Sequence, residues 1–178
     1  MPTYSARRLG ATAAGAVLAV TAVTTATGPA HAAPSGASVP TCHTPDLAIG
    51  FAERLGGGMS HAGGVLEFRN TGGHTCAMRG YPGLGLEDGG HAVLPSRTVW
   101  GTTWYADDPG NKAVRLRPGA TVRAVVAWTH SGTEAHRSSY LQVTPPGSTG
   151  HRVIPLNDLV DFGELHVTAV APRVPLRG

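Results

Sequence analysis

Residues 66–86 read LEFRNTGGHTCAMRGYPGLGL. Leu66 and Phe68 alternate with Glu67 and Arg69, which is the period of a half-buried strand with Leu66 and Phe68 turned inward. Asn70-Thr71-Gly72-Gly73 stops it, because Asn tolerates and Gly readily adopts a left-handed backbone. The chain returns through His74, Cys76 and Met78. Arg79-Gly80-Tyr81-Pro82-Gly83 then bends it again, since Pro82 fixes its own φ and holds Tyr81 extended. Leu84 and Leu86 resume the alternation. The stretch predicts a β-hairpin followed by a further strand, which is a structural unit rather than a chemical one.

Working outward toward the N-terminus, Arg7-Arg8, the Ala/Val-rich run 9–27 and the small-x-small triplet Ala30-His31-Ala32 form a secretory signal peptide over residues 1–32, cleaved near Ala32. Residues 33–41 are rich in Pro, Ser, Gly and Ala and are expected to be a disordered lead-in. No second long apolar run follows, so no membrane span is expected in the mature chain. Of 178 residues, 32 belong to this leader, leaving 146, enough for one domain with a sizeable core. The full chain has 14 Lys and Arg against 11 Asp and Glu, a balance of +3. The leader holds two Arg and no acid, so the mature chain has 12 against 11, or +1. A clustered basic face, which nucleic acid would need, is not present in the pattern. Cys42 and Cys76 are the two cysteines, and an exported pair most often forms a disulfide. Closing that loop of roughly 35 residues is worth about 3.8 kcal/mol in the chain-entropy account.

Past the quoted stretch the same grammar continues. Residues 47–55 alternate as a first strand, followed by Gly56-Gly57-Gly58. Residues 92–94 are a short strand stopped by Pro95. Residues 98–111 are irregular, with Asp107-Asp108-Pro109-Gly110 as a turn. Val114 and Leu116 lie on a strand that Arg117-Pro118-Gly119-Ala120 turns. Val122, Ala124, Val126 and Trp128 share one face of the next strand. Val125 and Ala127 are apolar on the other, so this strand is expected to be central and Trp128 to be core. Residues 140–144, 153–156 and 165–170 complete the set, with a single helical turn expected near 156–160. Short strands at regular spacing with Gly/Pro turns specify an all-β fold: one antiparallel β-sandwich over residues 42–172, immunoglobulin-like in general architecture, with a tail at 173–178.

The string GVLEFRNTGGHTCAMRGYPGLGL, followed in order by HAVLPSR, LRPGATVRAVVAW, YLQVTPPG and LHVTAVA, resembles the actinobacterial secreted family known as the domain of unknown function 4232. The resemblance covers residues 42 to about 172 and rests on an N-T-x-x-x-x-C-x-x-x-G-Y-P-G core. It implies a β-sandwich that is exported or tethered to the envelope, with no established activity and no catalytic residue to carry over. Many members look to carry a second Cys pair. The matching regions here, 132–139 and 159–163, have none, so packing alone is expected to hold that end.

Four soft ligands, Met59, His61, His74 and Met78, flank Cys76 and would suit Cu(I) if they met across the hairpin. An oxidised Cys76 and exposed loop histidines argue against it. The Asp107–Asp108 turn lacks the spacing of a calcium loop. No G-x-S-x-G elbow or other nucleophile signature occurs. No cofactor is expected. Trp100, Trp104 and Tyr105 place three aromatics in six residues. They form either a flat binding platform, with Asp107 and Asp108 beside it, or a plug for the end of the sandwich. The sequence therefore predicts a secreted, monomeric, non-catalytic module for a protein or cell-wall glycan; the alternative is a secreted hydrolase or a copper/metal-binding protein.

Overall fold

The computed structural model describes residues 38–56 and 58–177. The expected signal peptide and most of the lead-in lie outside the described residues. One 3₁₀ turn, Thr44–Asp46, leads into β1 (Leu47–Gly56) and β2 (His61–Asn70). Then come β3 (Cys76–Arg79), β4 (Gly83–Glu87), β5 (Val93–Leu94), β6 (Arg97–Trp100) and β7 (Ala113–Leu116). The longest strands close the set: β8 (Thr121–Thr129), β9 (Ala135–Thr144) and β10 (Arg152–Asp161), before the short β11 (Glu164–Val167). No α-helix occurs among the described residues.

The strands build the expected β-sandwich. One sheet has the order β1-β2-β8-β11-β6 and the other β10-β9-β4-β5, with β3-β7 as a separate ribbon. Every pairing is antiparallel except β11 with β6. The inner faces close on one core. Leu66 and Phe68 of β2, Val122, Ala124, Val126 and Trp128 of β8, and Leu165 and Val167 of β11 meet Leu86, Leu141, Val143 and Leu156 from the opposite sheet. Trp128 is fully buried, as its place on the apolar face of β8 requires. Val125, on the other face of β8, is buried as well, so β8 is central and covered on both sides.

The expected hairpin is not what residues 66–79 form. β2 pairs with β1 and β8, while β3 pairs with β7. Asn70 is the reason. Its Nδ2 donates to the His74 carbonyl at 2.9 Å and the Leu116 carbonyl at 3.0 Å, and its Oδ1 accepts from the Gly72 amide at 2.9 Å. Its own amide donates to Ala120 and its carbonyl accepts from Gly119. The turn is thus knotted to the β7–β8 turn and the chain leaves the sheet. Alternation identifies a strand but not its partner. Cys76, carried on β3, is bonded to Cys42 with 4.9 Å between the Cα atoms. Pro40 and Thr41, in the stretch read as lead-in, pair with Ala77.

Three further expectations are corrected. Residues 156–160 are not a helical turn but part of β10, whose register slips between Pro155 and Asp158. Pro155 removes a ladder donor and Asn157 takes a left-handed φ of 54°, which makes a bulge. The bulge aims Asp158 at Trp128, whose indole N–H donates to it at 3.1 Å. Residues 98–100, expected to open an irregular loop, belong to the edge strand β6. The end without a second disulfide is not held by packing alone. The Asp161 carboxylate accepts from the Ser131 amide at 2.9 Å, the Ser131 hydroxyl at 2.6 Å and the Gly132 amide at 3.0 Å. Burial by itself would raise its pKa, but these hydrogen bonds outweigh burial and hold it below the ordinary carboxylate value.

Candidate functional site

Between β6 and β7 the chain crosses the outer face of the five-stranded sheet. Ala106 packs there against Val65 and Val125, with Leu55, Tyr105 and Val174 around them. Thr103 folds the crossing locally: its hydroxyl accepts from the Tyr105 amide at 3.2 Å and the Ala106 amide at 3.1 Å. The sheet makes room for the ring of Tyr105 by carrying a glycine. A Cβ on Gly63 would stand 2.7 Å from the Tyr105 ring and 2.6 Å from the Val126 carbonyl oxygen. Its neighbour Gly64 leaves equivalent space for Phe51. Glycine inside a strand marks such a close approach.

Trp104 stands beside Tyr105 and packs between two histidines, His61 at 4.7 Å and His166 at 5.1 Å between ring centroids. A cleft of about 550 Å³ opens on one side, lined by Glu53, Arg54, His61, Trp104, Tyr105 and Arg177 among others. Arg54 lies over the Phe51 and Trp128 rings at 4.7 and 5.1 Å. Burial lowers its pKa and the Asp158 carboxylate 3.8 Å away opposes that. Two polar atoms of the cleft wall, Trp104 Nε1 and Tyr105 Oη, are buried without a hydrogen-bond partner among the described residues. Burial raises the Tyr105 phenol above its ordinary value. The adjacent indole N–H offsets part of this without reaching hydrogen-bond geometry.

The five residues singled out as a binding platform do not form one surface. Trp100 projects from the edge strand β6, 63% exposed, and stacks flat on Tyr81 at 5.4 Å. Trp104 and Tyr105 belong to the cleft on the outer face. Asp107 pairs with Arg177 at the cleft rim. Asp108 is a structural staple, accepting from the Tyr81 hydroxyl at 2.6 Å and the Ala169 amide at 2.8 Å. That hydroxyl bond, with burial, raises the Tyr81 phenol. The soft-ligand set is likewise dispersed. His61 opens β2 and His74 lies past its other end, about 30 Å away at the strand rise. Met59 is exposed, Met78 is buried in the core and Cys76 is oxidised. Among the described residues no three His, Cys, Asp or Glu side chains converge as a metal set.

The family model of a domain of unknown function, DUF4232, matches residues 42–171. The chain belongs to this family. No curated protein and no solved structure matches it. In this DUF4232 chain the residues of the quoted string have structural roles. Asn70 ties two turns, Cys76 forms the disulfide, Gly80 adopts a φ of 102°, and Tyr81 anchors Asp108. The residues that shape the cleft lie elsewhere. Gly63, ahead of the stretch whose alternation reads as a strand, and Arg177, past the end of the DUF4232 match, carried no signal.

The outer face of the four-stranded sheet of the DUF4232 domain holds one more polar cluster. Glu87, 4% exposed at the sheet surface, accepts from the Gln142 amide and lies 2.7 Å from His91 Nδ1. His91 stacks on Tyr140 at 4.3 Å. The Gln142 bond first, then His91, hold Glu87 below its ordinary value. A carboxylate with a lowered folded pKa adds stability above its unfolded pKa, and that stability is lost as pH falls through the folded one. Unfolding free energy should therefore drop below about pH 5. Glu87→Gln should flatten that part of a pH series of urea melts, and an unchanged slope would mean that the carboxylate contributes nothing through its charge.

Proposed function

We propose that this protein is a secreted, non-catalytic module that binds an extracellular or cell-envelope ligand in the cleft beside Trp104 and Tyr105. The signal-peptide pattern of residues 1–32 and the Cys42–Cys76 disulfide support export into an oxidising compartment. Among the described residues no helix is long and apolar enough to cross a membrane. Two nearby acidic groups are committed to structure. Glu164 is paired with Arg97 and His166, and Asp161 with the β8–β9 turn.

The observation that carries the reading is the pair of unpartnered polar atoms. A buried donor or hydroxyl without a partner costs about 1–3 kcal/mol. Two such groups lie on successive residues whose side chains line one cleft, and a ligand that displaces their cover recovers that cost. Aromatic rings beside His61 and Glu53 supply what a recognition site needs: large rigid area with polar edges.

The test uses Tyr105→Phe combined with Trp104→Phe. Both changes remove an unsatisfied polar atom and keep a ring, so thermal stability should stay within about 1 kcal/mol of wild type or rise. Retention of the purified mature domain on cell-wall preparations or on displayed peptides should fall at least about tenfold, the loss of one buried hydrogen bond to a ligand. Equal retention by the variant, or no retention of wild type on either surface, would remove the cleft as the binding site.

A further inference from the structure

We propose that the outer face between β1 and the 101–112 crossing is a docking groove for an extended peptide, which residues 173–177 of the chain itself occupy in cis. The inference rests on the reading of the cleft as a binding site and gives its ligand a class. Leu176 forms an antiparallel bridge with Ala106. The Arg177 amide donates to the Tyr105 carbonyl at 2.7 Å. The Arg177 guanidinium donates to the Thr103 carbonyl at 3.0 Å and pairs with Asp107. Val174 packs on the apolar patch of Val65, Val125 and Ala106. This is strand addition: main-chain hydrogen bonds supply affinity and alternate side chains supply selection.

Two observations mark the segment as an occupant rather than a part of the fold. The family match ends at residue 171, before the segment begins. Clefts of about 460 and 550 Å³ flank it, and Leu176 lines both, so the segment divides one longer groove along β1. Of its five residues all but Val174 are exposed, which places its opening at the low end of local stability. The groove selects by what it offers: an apolar seat for Val174, a second apolar position at Leu176, and carbonyl plus carboxylate for an arginine next to it. The partner is a protein that presents an extended Val-x-Leu-Arg-like segment. It competes with a tethered copy whose effective concentration is on the order of millimolar.

The experiment uses the full mature chain carrying Leu176→Asp with Arg177→Glu, which repels the segment from the apolar patch and Asp107. The probe is a fluorescent synthetic peptide of residues 172–178, PRVPLRG. The released variant should bind it at least tenfold tighter than wild type. A peptide with the same Asp and Glu replacements should not bind, and adding Asp107→Ala should weaken binding again. Equal or absent binding of PRVPLRG overturns the proposal. Binding of cell-wall glycan fragments without binding of the peptide overturns the peptide class while leaving the cleft as a site. Hydrogen exchange on wild type gives a test that needs no variant. The Arg177 amide should exchange at least a hundredfold faster than that of Ala124 in β8. Equal protection would make the segment a permanent part of the core and would overturn the proposal.

Discussion

Replacing Cys42 and Cys76 together with alanine should lower the unfolding free energy by about 4 kcal/mol, within the 2–5 kcal/mol usual for a native disulfide. The melting temperature should fall by on the order of 10 °C for a domain of this size. The bond closes a loop that holds β1 and β2, two strands of the larger sheet, and fastens it to β3. Its second effect is local. The β3–β7 ribbon is not part of either sheet's ladder, and its attachments include Met78, Val114, Leu116, the Asn70 knot and this bond. Both half-cystines are nearly fully buried, so alanine also leaves small voids in the core. Urea melts of the double variant against wild type measure the cost. A loss below about 1 kcal/mol would mean that the ribbon is held by packing and Asn70, with little owed to the covalent link.

That result would also separate what was legible in the sequence from what was not. The disulfide was legible because a chain with two cysteines behind a signal-peptide pattern has one pairing. β8 was legible because Val125 and Ala127 put apolar residues on its second face as well, the mark of a strand covered on both sides there. Partners were not legible. Leu66 and Phe68 point inward as their alternation requires, yet nothing in that alternation says that β2 pairs with β8 and β3 with β7. The distinction is made by the Asn70 side chain reaching the Leu116 carbonyl, 46 residues away. The bulge of β10 was hidden for a related reason. Asn157 and Pro155 break the alternation, and a broken strand resembles a turn until its partner is known.

The site was legible only as a cluster. Three aromatics in six residues announced area to bury, but the strand β6 ends between Trp100 and Trp104 and turns the first onto Tyr81 and the second onto His61. The positions that decide this geometry are silent in composition. Arg177 reaches Asp107 across 70 residues of sequence. Gly63 precedes the alternation that reads as a strand, so its close approach to Tyr105 shows only in the fold.

The glycine makes the larger prediction for the site. Gly63→Val should cost at least about 3 kcal/mol, the upper part of the usual range for overpacking. The contact that sets the magnitude is with backbone: 2.6 Å to the Val126 carbonyl oxygen, a neighbour in the β2–β8 ladder that no rotamer change can move. A Cβ at 2.7 Å from the Tyr105 ring must also lift that ring from the sheet. Stability and site geometry should therefore fail together, read as a lower urea midpoint and a changed Tyr105 ring environment by NMR. Gly50→Ala is the matched control, because a Cβ there meets nothing within 4 Å, and it should be near neutral. If Gly63→Val stays within about 1 kcal/mol of wild type while the Tyr105 resonances are unmoved, the ring is not seated against β2. The cleft would then lose the wall that gives it shape, and with it the two unpartnered polar atoms on which the binding reading stands.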